Sequence, residues 1–107
     1  MSATDSHIRH IVLLRWSEAP SADRLAALEA ALGRLPSLLT GMRSYDFGSD
    51  LGLAEGNFDF AIVGDFDDIE SYGLYASHPE HQRIIAEQIR PMLGERVAIQ
   101  VDVPAAP

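Results

Sequence analysis

HIRHIVLLRW, residues 7–16, decides how the rest of this 107-residue chain is read. Its branched and aromatic residues predict a β-strand. Alternation sends Ile8, His10, Val12, Leu14 and Trp16 to one face, and Ile11 and Leu13 to the other. A strand that is apolar on both faces is covered on both faces. If helices cover one side of its sheet, something else covers the second.

Outward from this strand the other elements fall into order. SADRLAALEAALGRL predicts a helix, with Ser21 as its N-cap and Asp23 where the dipole favours an acid. Leu25, Leu28, Leu32 and Leu35 recur at helical spacing, and Gly33 with Leu35-Pro36 closes the element. MRSYDFGSD (42–50) and NFDFAIVGDF (57–66) predict two strands joined by a glycine-containing loop. The second of them sends Phe58, Phe60, Ile62 and Phe66 to one face. DDIESYGLYAS reads as a short helix capped by Asp67 or Asp68. Pro79 then forces a new start, because proline is tolerated at the first helical position but not further in. PEHQRIIAEQIRPML (79–93) is therefore expected as a second helix, stopped by Pro91 and Gly94. ERVAIQVDV (95–103) alternates as a last strand. The order βαββαβ is that of the ferredoxin-like α+β class, with an antiparallel sheet. A single domain is expected over 1–107, its core within 7–103. Both helices on one sheet face leave the other bare and apolar, which predicts a homodimer joined sheet to sheet.

Composition narrows the function. The chain is 47% hydrophobic and 22% charged, with a net charge of −8. An acidic balance disfavours nucleic acid and anionic membranes as partners. There is no cysteine, hence no disulfide framework or thiolate nucleophile. No apolar run approaches the roughly 18 residues of a membrane span. The opening MSATDSHIRH has no apolar run flanked by basic residues, so no signal peptide is expected and a cytoplasmic location is.

Four histidines carry most of the chemistry on offer. On the 79–93 helix, Ile84, Ile85 and Ile89 mark a buried stripe, and His81 lies on it at helical spacing. Glu80, Arg83, Glu87 and Arg90 are expected on the outer face. His10 likewise interrupts an apolar strand face, whereas His7 has the opposite parity and is expected to be simply exposed. His78 precedes Pro79, as a cap or in solvent. The pairs 7/10 and 78/81 do not make a convincing metal site: the first points to opposite faces and the second is split by proline, so no metal is expected. Tyr75, six residues before His81, brings a phenol within reach of the same space. A phenol and a neutral imidazole together suffice to hold an enolate and remove a carbon-bound proton.

IRHIVLLRW, DFGSDLG (46–52) and above all Y-x-x-HP-x-H at 75–81 together resemble the stress-responsive dimeric A/B barrel (Dabb) family, over nearly the whole chain from Ile8 to Val103. The resemblance implies ferredoxin-like protomers paired through their sheets into a dimeric α+β barrel. It implies, from the family's plant polyketide cyclases, an aldol-type closure of a small carbonyl substrate without metal or organic cofactor. His81 would be the general base, Tyr75 would hold the developing oxyanion, and His10 would set the polarity of the pocket. Tyr72, His78 and Ile85 would contact the substrate, as would Phe60, which stands where those cyclases carry a further histidine. Two other readings are open: a stress-associated or ligand-binding dimer without catalysis, and a cofactor-free monooxygenase of the same architecture.

Overall fold

The computed structural model describes residues 6–106 and follows the expected order of elements. Strands β1 (His7–Trp16), β2 (Met42–Ser49), β3 (Phe60–Phe66) and β4 (Leu93–Val103) form one sheet in the order β2-β3-β1-β4. Every pairing in it is antiparallel. Helices α1 (Ala22–Arg34), α2 (Ile69–Ser77) and α3 (Pro79–Ile84) complete a ferredoxin-like fold.

Local chemistry explains where the helices begin. Ser21 Oγ accepts a hydrogen bond from the Arg24 amide at 3.1 Å, and Asp68 does the same for Ser71 at 2.8 Å. Each satisfies an amide that the first turn leaves without a partner. Of the two acids expected as caps, Asp68 serves α2. Leu28, Ala31 and Leu32 of α1 are buried, as is Leu35 in the short 3₁₀ turn Leu35–Leu38. Burial of each such leucine contributes about 1.5–3 kcal/mol.

Three elements depart from the sequence expectation; the slightest is β4, which opens at Leu93 and takes in the Gly94 expected to stop the helix. β3 starts at Phe60 rather than Asn57, because Asp59 anchors the preceding loop. Its amide donates to the Leu14 carbonyl and its carboxylate accepts from the Trp16 amide, both at 2.8 Å. Phe58 accordingly leaves the alternating file and packs under the Arg15 guanidinium, 4.2 Å from its ring centre. The largest departure lies in 79–93. α3 is α-helical only to Ile84, continues as a π turn over Ile85–Ile89 and ends in a 3₁₀ turn, Arg90–Met92. Pro91 has no amide to give the Glu87 carbonyl and its ring crowds that turn, so the helix widens before it stops.

The sheet has two unlike faces. On the covered side, Val12, Leu14, Phe60, Ile62 and Phe66 pack with the α1 leucines, Tyr75, Ile84 and Ile89 into one core. On the other, strand pairing sets Ile11 between Val63 and Ile99, and Leu13 between Ala61 and Val97. Among the described residues nothing covers that file: Ile99 is 56% exposed, Val97 42% and Val101 37%. At its end Asp65, only 7% exposed, receives the Arg9 guanidinium at 2.8 Å and faces His7 Nε2 at 2.9 Å. His7 is thus not simply exposed, as its parity and edge position suggested; a carboxylate 58 residues away holds it. Among the described residues, no helix is long and apolar enough to cross a membrane.

Candidate functional site

A row of four residues crosses the covered face. Strand pairing aligns Gln100 on β4, His10 on β1, Gly64 on β3 and Tyr45 on β2. Gln100 Nε2 donates to His10 Nδ1 at 2.8 Å. A Cβ on Gly64 would lie 2.9 Å from the Phe66 ring and 3.2 Å from that of Tyr45. The missing side chain is therefore what lets the Tyr45 ring lie across β3. From there its hydroxyl meets that of Tyr75, on α2, at 2.9 Å.

Above this row, β1, β3, β4, α2, α3 and the π turn enclose a cavity of about 320 Å³. Its polar groups are His10, Tyr72, Tyr75, His81, Gln82, Arg90 and Arg96; Val12, Leu14, Ile62, Ile85, Ile89 and Leu93 give it apolar walls. Two larger depressions are more open: one beside His7 is lined by Arg43, Asp67, Asp68, Glu70 and Asp102, and one beneath the loop before β3 carries a single acid, Asp50.

The helix break places His81. His78 ends α2 and starts α3, its Nδ1 accepting from the Glu80 amide at 3.1 Å. His81 then turns its ring onto Tyr75, with centroids 4.1 Å apart. Its Nδ1 lies 3.3 Å from the Ala76 carbonyl. A carbonyl only accepts, so this nitrogen carries the proton and Nε2 keeps its lone pair. At His10 the amide of Gln100 donates to Nδ1, which leaves the proton on Nε2. The two imidazoles thus hold opposite tautomers, one presenting an acceptor and the other a donor.

Both rings are neutral at pH 7. Burial brings His10 down to about 4, with the Arg96 charge, and that of His81 whenever it is protonated, adding to the effect. Burial also lowers His81, assisted by Arg96 and His78 and opposed by the bond to Ala76. Tyr75 is pushed up to about 12, burial again being the main cause. Tyr45 moves further in the same direction through burial and the neighbouring Tyr75 oxygen. Both phenols stay protonated, and one donates to the other in the bond between them.

Of the residues singled out from sequence, His10, Tyr72, Tyr75, His81 and Ile85 line this cavity. Phe60 and His78 do not. Phe60 is buried in the core with its ring 5.8 Å from that of Trp16, and His78 is occupied as a cap. Three contributors escaped the sequence reading. Tyr45 matters through a partner 30 residues away. Arg96 shares the parity of Gln100 and was legible as facing inward. A strict α-helical phase puts Arg90 on the outer face; the π turn adds a residue to that turn and brings it to the cavity lining. Among the described residues no group of three His, Cys, Asp or Glu is placed to hold a metal.

The fold has counterparts in solved structures. A dimeric ferredoxin-like protein of unknown function from Thermobifida fusca is 40% identical, with a TM-score of 0.85 and 96% of each chain covered. A hydroxynitrile lyase from Passiflora edulis shares the fold at 20% identity and a TM-score of 0.79, covering 95% of this chain and 97% of its own. A Dabb family protein from Mesorhizobium loti matches at 19% identity and a TM-score of 0.75, over 94% and 99% of the two chains. No curated protein matches the sequence. The model of the stress responsive A/B barrel domain matches residues 8–103, and the chain belongs to that family.

Proposed function

We propose that this protein is a cofactor-independent enzyme that removes a carbon-bound proton from a small carbonyl compound, as an aldol-type cyclase, isomerase or lyase. His81 Nε2 takes the proton next to the carbonyl. The Tyr75 hydroxyl donates to the oxygen on which negative charge develops, and Tyr45 hydrogen-bonds Tyr75 from behind. His10 offers its Nε2 proton to a second oxygen. The observation that carries this reading is the 4.1 Å stacking of Tyr75 on a neutral His81 whose Nδ1 is engaged, within a cavity that is otherwise mostly apolar. In such surroundings a preorganised donor acts more strongly on a nascent enolate than it would in water. A lyase built on the same fold supports the reaction class.

The working unit in this reading is a homodimer with the two bare sheet faces packed together. The exposed file of Val97, Ile99 and Val101 supports it, as does the dimeric state of the 40% identical relative.

The test is exchange of the C2 protons of a 3-oxooctanoyl thioester in deuterated buffer, followed by NMR. The protein accelerates exchange above the buffer rate, and Tyr75→Phe and His81→Ala each remove most of that acceleration. Unchanged exchange in both variants would sink the assignment. One observation favours the rival reading of a non-catalytic ligand-binding dimer: Tyr75 is 1% exposed and its hydroxyl already has a partner. That reading expects ligand-induced shifts without faster exchange. A monooxygenase would instead consume oxygen with the same substrate.

A further inference from the structure

All eight basic residues of this chain are arginines, set against sixteen acids. Arg9, Arg15, Arg43 and Arg83 each pair with a carboxylate, and Arg24 and Arg34 stand exposed on α1. The remaining two, Arg90 and Arg96, are exposed as well but line the cavity, and neither forms an ion pair with an acid among the described residues. In a chain with twice as many acids as bases, two cations at one cavity without a carboxylate are an arrangement that awaits an anion from outside.

We propose that the substrate carries a carboxylate, held by Arg96 with Arg90 beside it, while its reacting carbons lie against His81. The proposal rests on the acid–base reading above and adds the class of substrate. Strand pairing sets Arg96 opposite Leu14 and Gln100 opposite His10. Four residues of strand separate these rows by roughly 14 Å, less what the long arginine side chain spans on its way to the cavity. Val12, Leu14, Ile85 and Ile89 supply apolar wall in the same space. The occupant that fits is an acid with a carbon chain of several atoms and a carbonyl toward the histidines. Arginine suits the acid end because its planar fork binds a carboxylate through two parallel hydrogen bonds. The Arg96 charge is felt at His10, His81 and Tyr75, so it lies within electrostatic range of all three groups. Arg90 joins it only because the π turn rotates the end of the helix.

Octanoate and octanamide, alike in size and unlike in charge, are the probes, with binding measured by calorimetry at pH 7 and low salt. The wild type prefers octanoate by roughly tenfold, the value of one charge-assisted hydrogen-bonded pair. Arg96→Gln abolishes that preference and leaves octanamide affinity unchanged, Arg96→Lys keeps part of it, and Arg90→Gln lowers it by less. His81→Ala retains the preference, because the base is not part of the anion subsite. Equal affinity of the wild type for both probes, failure to bind octanoate at millimolar concentration, or equal weakening of both by Arg96→Gln would each overturn the proposal. A lost preference for octanoate with His81-dependent exchange intact rejects the anion subsite alone. Preference kept without exchange rejects the base alone.

Discussion

The two faces of this sheet are built from the same strands and obey opposite rules. On the covered face, polar residues sit in apolar surroundings: His10 is 3% exposed, and His10, Gln100, Tyr45 and Tyr75 are joined by hydrogen bonds on either side of a glycine. On the bare face, apolar residues sit where water would be, with Ile99 at the centre of the file. Buried polar groups are costly unless they are satisfied, so a set of them around a cavity points to chemistry. An exposed apolar file is costly unless it is covered, so it points to assembly. Under the proposed function, one face of the sheet serves a small molecule and the other a second copy of the chain.

Substitutions on each side separate the two roles. The largest effect belongs to His81→Ala, which lowers exchange of the thioester probe by about 10²–10⁴-fold, the usual range for a general base. His7→Ala, on the opposite face, leaves that rate unchanged; a comparable loss there would erase the distinction. Ile99→Glu places a charge in the apolar file, and sedimentation is expected to shift from the mass of two chains to that of one, with α3 and its cavity retained.

Acid separates the faces by pH. A histidine whose folded value lies below its ordinary 6.5 resists protonation in the native state. Its contribution to stability is complete above pH 6.5 and is lost as pH falls toward about 4, amounting at most to about 3 kcal/mol. Asp65, held down to about 2 chiefly by Arg9, loses its contribution only below the ordinary 3.8 and toward 2. Urea midpoints between pH 7 and pH 4.5 therefore report the covered face, and His10→Gln flattens that part of the curve. The smallest effect is expected from Gly64→Ala. The added methyl meets Phe66 and Tyr45 and costs about 1–3 kcal/mol by overpacking. It also displaces Tyr45 from Tyr75, which a change in near-ultraviolet tyrosine signal would show.

The fold was legible because its signals are local and periodic. Alternation in 7–16 and 95–103, leucine spacing in 21–35 and the proline at 79 each act within a few residues. The bare apolar face followed from a single strand with two apolar sides. The cavity lining of the candidate site was legible where it shares that periodicity, as with His10 on its strand and His81 on its isoleucine stripe. It was not legible where the contact is long-range or the helix irregular. Tyr45 meets Tyr75, and His7 meets Asp65, only after the sheet has formed. Arg90 needs a π turn that no 3.6-residue pattern contains. Phe60 belongs to the right face but sits along the strand toward Trp16, because position on a face does not give depth within it.

The proposal that a proton moves at His81 depends on which nitrogen of each imidazole is free. Nitrogen-15 spectra of the selectively labelled histidines at pH 7 measure this directly. The expected result is a neutral His81 protonated on Nδ1 and a neutral His10 protonated on Nε2, each harder to protonate than an ordinary imidazole. A His81 protonated on Nε2, or charged at pH 7, would leave the cavity without its base and contradict the account.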